Sequence, residues 1–315
     1  MTILQIASLL IVLAGAFGAI NYLFLKLPPA IGILIVALLA SFAVLPVNLA
    51  VPSLGVADAV RATVPEIVFS EALLEGMLGL LLFAGALHVK LSDLRREWLV
   101  VILMATIGIG LSTVIVGVGF SWLTGMPLLI ALVFGALISP TDPVAVLDVL
   151  READLKKSLE TKIAGESLFN DGVGYVVFLV LVGLAFTNGD AHGDAHGSGL
   201  GGAATMFVQE ALGGALLGLV LGWLTFRVMQ RIDDYSLEVL ITLGLAFGGY
   251  ELAVYLHVSA PIMAVCAGLL IGDVGTKYGM SAETRQYVDA VWKLIDEILN
   301  AVLFLMVGVD VRRGL

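Results

Sequence analysis

Long apolar runs separated by short polar joints make up almost the whole chain. The runs approach the roughly 20 residues that a helix needs to cross a bilayer, and the joints hold most of the charges. Read in order, they predict ten helices. Helix 1 covers about Ile3 to Leu25, and Pro28-Pro29 opens helix 2, which runs to about Leu45. A joint with Asp58, Arg61 and Pro65 leads to helix 3, about Glu66 to Leu87. Helix 4 covers about Trp98 to Leu123, helix 5 about Pro127 to Leu150 with a break inside, and helix 6 about Leu159 to Phe186. Helices 7, 8 and 9 cover about Ala203 to Val228, Leu237 to Leu256 and Ala260 to Asp273, and helix 10 about Arg285 to Val309. The fold class is an all-α integral membrane protein with no soluble domain.

Composition agrees with this reading. Hydrophobic residues make up 60% of the chain and charged residues only 13%, against about a quarter charged in a soluble domain. The first apolar stretch has no basic n-region and no small-residue cleavage site directly after it, so it reads as a helix rather than a cleaved signal. Cys266 is the only cysteine, which excludes an intrachain disulfide. The net charge of −10 matters less than the placing of Lys and Arg. The joints after helices 3, 5, 7 and 9 hold Lys90, Arg95, Arg96, Arg151, Lys156, Lys157, Lys162, Arg227, Arg231, Lys277 and Arg285. Those after helices 4, 6 and 8 hold none. The basic set is therefore expected on the cytoplasmic side, with the N-terminus outside; Arg312 and Arg313 break the pattern at the end.

Two segments leave alternatives open. Asn188 to Gly199 (NGDAHGDAHGSG) has metal donors in His192, His196, Asp190 and Asp194, but its composition reads first as a solvated outer loop. In helix 7, Gly214, Gly218 and Gly222 recur at every fourth position. Small residues at that spacing let helices approach closely, either within the chain or across a dimer seam.

Helices 5 and 6 carry the anomalies. In helix 5, Leu128 to Ile138 is too short to span and is followed by Ser139-Pro140-Thr141-Asp142-Pro143, with Val144 to Leu150 completing the crossing. Two prolines remove two backbone donors and obstruct the helix. A break at membrane depth is tolerated only inside protein or beside a polar cavity, and such breaks form ion sites in transporters. In helix 6, Glu166, Ser167, Asn170 and Asp171 stand at spacings of one, three, four and five, which puts them on one helical face. Counting from Lys162, Asp171 lies roughly 13 Å inside, and Asp142 reaches a similar depth from the same side. Intramembrane acids are costly and point to function.

The strings SPTDPVAV (Ser139 to Val146) and GESLFNDG (Gly165 to Gly172) resemble the bacterial and eukaryotic sodium/proton exchangers, in particular the NhaP-like branch of the monovalent cation:proton antiporters. Gly249 to Gly272 and Asn300 to Gly308 are similar to that family too. The resemblance implies an inverted-repeat antiporter fold, with Asp171 as the carboxylate shared by cation and proton. Asn170 and Ser167 would support it, and Thr141 and Asp142 would come from the broken helix. Glu166 would belong to a buried ion pair. The cation, Na⁺ or alternatively Li⁺ or K⁺, is held by Asp171 and Asp142 as transported substrate, and no cofactor is expected. Members with this Asn-Asp pair are regarded as electroneutral.

The residues point to the same mechanism. A carboxylate withdrawn from water competes poorly as an anion, so a proton or a small cation can neutralise it in turn, and an amide at Asn170 leaves one titrating group at that step. Two departures stand out. Relatives carry an acid in a string like LLFEGGL, where this chain reads LLFAGAL with Ala84. The basic partner expected for Glu166 lies, in relatives, beyond helix 10. The expected organisation is 1–97 as dimer and scaffold side, 98–187 as the first half of the transporting core, 188–202 as outer loop and 203–315 as scaffold. By resemblance about three more helices are expected after Leu315, so that the chain alone inserts without exchanging ions. The bilayer of the cell or inner membrane and a second copy are the expected partners, with no nucleic acid and no soluble protein. A channel and an intramembrane enzyme are the rival classes. Helices 5 and 6 contain no histidine, and GESLF is not a nucleophile elbow, which weighs against the enzyme.

Overall fold

The computed structural model describes residues 3–50, 71–141, 156–186 and 200–310. Within them lie α1 (Ile3–Ile20, prolonged by a π-turn at Asn21–Leu25), α2 (Pro29–Ala50), α3 (Glu71–His88) and α4 (Leu91–Thr124, with a π-turn at Met104–Gly108). After α5 (Leu128–Ile138) come α6 (Lys157–Phe186), α7 (Leu200–Met229) and α8 (Tyr235–Tyr255). The last are α9 (Ala260–Leu270, prolonged through Ile271–Gly275 to Thr276–Tyr278) and α10 (Ala282–Asp310). Each overlaps the sequence-predicted helix of the same number. Among the described residues, six apolar spans are long enough to cross a membrane: Leu4–Leu25, Leu91–Thr124, Ser158–Ala185, Val208–Met229, Tyr235–Tyr255 and Ala260–Tyr278. Asp58, Arg61, Pro65, Asp142, the completing segment Val144 to Leu150, Arg151, the loop with His192 and His196, and Arg312 and Arg313 lie outside the described residues.

Three boundaries differ from the sequence reading, the first being the end of α2, which runs on to Ala50 rather than about Leu45. The fourth helix starts at Leu91 rather than near Trp98. Its polar first turns stay helical because Asp93 suits the N-terminal dipole and Glu97 is held by Ser158 at 2.6 Å and Lys162 at 3.2 Å. The ninth helix continues past Asp273. Thr276 Oγ1 donates to Gly272 O at 2.6 Å and Lys277 pairs with Asp273 at 2.5 Å, so the turn is stitched across the π-segment.

The described residues fall into two compact units, one of 3–50, 71–81 and 293–310, the other of 82–141, 156–186 and 200–292. The first has an apolar core. Ile6, Leu10 and Ala14 of α1, Ile33 and Ala37 of α2, Met77 of α3 and Val302, Leu305 and Met306 of α10 pack together. Buried Asn21 makes the α1–α2 turn: its Nδ2 donates to Leu27 O at 2.9 Å and its Oδ1 accepts from Leu27 N at 3.2 Å. Gly32 leaves room for that amide.

The second unit is organised by close backbone approach. Gly125, at φ 73°, ends α4 and turns the chain into α5. A Cβ at Gly117 would meet Leu132 at 2.7 Å, and one at Gly135 would fall on Thr113 O. Gly165 of α6 lies against Leu94 and Val101 of α4. On the other side, the glycine stripe of α7 seats α9. Gly214 faces the Ser259 carbonyl, Gly218 faces Met263 O and Cys266 Cβ, and Gly222 faces Ala267. The stripe predicted as a packing face or a dimer seam is thus filled from within the chain.

Candidate ion site where α5 breaks beside α6

The α5 helix ends at Ile138, and Ser139 keeps helical angles before Pro140 stops the ladder. Pro140 is seated on α6 because Gly174 has no side chain to oppose its ring. That contact delivers Thr141 to the polar face of α6. Asn170 is fully buried. Its Nδ2 donates to Thr141 O at 3.1 Å, Thr141 Oγ1 at 2.9 Å and Glu166 Oε1 at 3.0 Å. Thr141 Oγ1 in turn donates to Glu166 Oε2 at 3.4 Å. Since a carbonyl and a carboxylate can only accept, the Asn170 amide must present its NH₂ to them. Its Oδ1 then points elsewhere, buried and without a hydrogen-bond partner among the described residues.

The structure therefore brings Thr141, Glu166 and Asn170 into one hydrogen-bonded group. Ser167 is buried on the same helical face, and Asp171 is half-buried one step further along α6 and already engaged in an interaction. Asp142 follows Thr141 directly but lies outside the described residues. Within them, both carboxylate oxygens of Glu166 are met by neutral donors, Asn170 and Thr141. Lys293 is well exposed and pairs within α10 with Glu297 at 3.9 Å, so it is no deep base. Glu251 is exposed, and His88 turns its Nδ1 to Ala84 O at 2.7 Å. Ala84 itself is fully buried.

Sequence reasoning missed the supports. Thr113 of α4, buried, donates to Ser139 Oγ at 3.3 Å. Gly174, which admits Pro140, is legible only as a small residue on α6. Ile262, at the start of α9, lies against Gly172, so a third helix packs on α6 one residue along from Asp171, on a different side from Asn170.

The arrangement offers a half-buried carboxylate, an amide oxygen with free lone pairs, a hydroxyl at Ser167 and the C-terminal end of α5. These are hard oxygen donors, suited to a small cation rather than a soft metal.

A family described as "Sodium/hydrogen exchanger, transmembrane" matches residues 6–313. The Na(+)/H(+) antiporter NhaP of Pseudomonas aeruginosa is 46% identical over 315 residues, covering 98% of this chain and 72% of the relative. The Na(+)/H(+) antiporter NhaH of Halobacillus dabanensis is 34% identical over 288 residues, covering 91% and 68%. The solved structure of the sodium proton antiporter MjNhaP1 from Methanocaldococcus jannaschii has the same fold, with a TM-score of 0.74 at 21% identity over 96% of this chain and 68% of that one.

Proposed function

Because the chain belongs to the sodium/hydrogen exchanger family, we propose that it exchanges Na⁺ for H⁺ across the cell membrane, at Asp171 and the group where α5 breaks beside α6. The observation that carries this reading is the Asn170 amide, which ties the broken end of α5 to Glu166 immediately beside Asp171. Asp171 is neutralised either by a proton or by the cation, and the cation completes its shell from Ser167, Asn170 Oδ1, Thr141 and Asp142. Occupancy by one excludes the other, so exchange needs no separate coupling device. Asn170 is an amide and cannot titrate, so this step of α6 favours one proton per cation and electroneutral exchange. Cytoplasmic Lys and Arg joints put the N-terminus outside. A homodimer belongs to the reading as well, although the stripe at Gly214, Gly218 and Gly222 is not its seam, since α9 fills it.

The test is reconstitution of the full-length protein in sealed vesicles with an imposed pH gradient. Na⁺ or Li⁺ should dissipate the gradient and choline should not. Dissipation by K⁺ in preference to Na⁺ would make the protein a potassium/proton exchanger. Cation flux without proton movement would make it a channel and overturn the proposal.

A further inference from the structure

Hydroxyls inside apolar helices usually satisfy themselves on the preceding turn of their own helix. On α4, Thr106 donates to Ile102 O at 2.6 Å and Thr124 to Phe120 O at 2.7 Å, as expected. Thr113, on the same helix and 3% exposed, instead donates across to α5, where Ser139 Oγ accepts at 3.3 Å. Ser139, itself 6% exposed, passes the chain on by donating to Gly135 O at 2.7 Å. Gly135 lies directly on the Thr113 carbonyl, with no room for a Cβ. The two helices are therefore pinned at a single turn, by backbone contact and by a two-hydroxyl relay.

That turn is the last one before the break. Pro140 has no N–H, so the final carbonyls of α5 have lost a backbone donor, and the direction in which the chain leaves the helix depends on side chains. Ser139 back-bonding bends a helix end, and Thr113 holds the Ser139 hydroxyl in the orientation that does so. Two residues on from Ser139, the main-chain and side-chain oxygens of Thr141 meet Asn170.

We infer that Thr113 is a positioning residue of the cation site: through Ser139 it fixes the exit of α5, and so the placing of the Thr141 oxygens that decide which monovalent cation fits. This rests on the exchange reading above. Thr113 donates to Ser139 and not to the Thr141, Glu166 and Asn170 group, and it acts through the helix end it holds. A shift of a few tenths of an ångström in one oxygen alters the fit of Na⁺ against K⁺ without removing any ligand.

The experiment compares Thr113→Val, which keeps the shape and removes the donor, with Thr113→Ser, which keeps the donor, and with Ser139→Ala, all in proteoliposomes of the full-length protein. Thr113→Val should fold normally, raise KM for Na⁺ roughly fivefold, leave the maximal rate within about twofold, and weaken discrimination between Na⁺ and K⁺. Thr113→Ser should restore KM and selectivity. Ser139→Ala should reproduce the Val phenotype, and the double variant should add little to it, because both residues act through one relay. Wild-type KM and selectivity in Thr113→Val, or full additivity with Ser139→Ala, would overturn the inference. So would a loss of folded protein that Thr113→Ser does not rescue, since that marks plain packing. If Thr113→Val does not fold but Thr113→Ser does, the Ser139→Ala comparison decides. Failure of the exchange reading would show differently, as absence of coupled exchange in the parent protein.

Discussion

The seam joining α4, α5 and α6 and the seam joining α7 to α9 use the same packing device to different ends. Both replace side chains by glycine so that a neighbour can come close: Gly117, Gly135 and Gly174 in the first, Gly214, Gly218 and Gly222 in the second. Against α7, the facing groups are the carbonyls of Ser259 and Met263, Cys266 and Ala267, and the buried Ser259 hydroxyl caps its own helix by accepting from Ile262 N at 3.4 Å. Around α5, the close approach brings together Thr113, Ser139, Thr141, Glu166 and Asn170, which hydrogen-bond across three helices. Close packing alone therefore makes a joint. The candidate site lies where α5 ends at Pro140 and leaves polar groups that a neighbouring helix satisfies.

Four substitutions and one titration sharpen that contrast. Asp171→Asn keeps shape but not charge, and is expected to reduce exchange to the vesicle background while size-exclusion profile and thermal midpoint stay near wild type; near wild-type exchange would move the chemistry elsewhere. Gly218→Leu attacks the other seam, where a Cβ already meets Met263 O. It should destabilise the fold by about 3 kcal/mol, seen as lost monodisperse protein, with transport falling only in proportion. Asn170→Ala leaves the Thr141 carbonyl and one Glu166 oxygen without their donor. At about 1–3 kcal/mol for unsatisfied groups, KM for Na⁺ should rise roughly tenfold with a modest drop in thermal midpoint.

Acidification should raise KM for Na⁺ about tenfold per pH unit once Asp171 binds protons, by simple linkage, with little change in maximal rate. A falling maximal rate at constant KM would place the titrating group outside the shared site. The smallest effect is expected for Gly222→Ala, whose nearest neighbour, Ala267 Cα, is 3.3 Å away. A cost of under about 1 kcal/mol, read as a small shift in thermal midpoint, would grade the α7 stripe from tight at Gly218 to tolerant at Gly222.

Much of the fold and part of the site were legible in the residues alone. The ten helical stretches followed from apolar length, since a bilayer requires each crossing to satisfy its backbone within itself. The break at Ser139-Pro140-Thr141 and the polar face of Glu166, Ser167, Asn170 and Asp171 were equally local, one from proline chemistry and the other from helical spacing. The polar first turns of α4 and the last turns of α9 escaped, because hydropathy ends where the helix does not.

Tertiary structure alone decided the partners. Nothing in the spacing of Gly214, Gly218 and Gly222 distinguishes α9 from a second copy as the helix they admit. Nothing in GESLFNDG states that Asn170 holds Thr141 and Glu166 together, or that Thr113, some 26 residues before Ser139, supplies a hydroxyl to the break. The reason is physical. Inside a membrane most helix faces are alike in apolarity, so burial gives little preference for one neighbour over another. The choice is made by shape and by a few hydrogen bonds between residues far apart in the chain, and those exist only once the helices have packed.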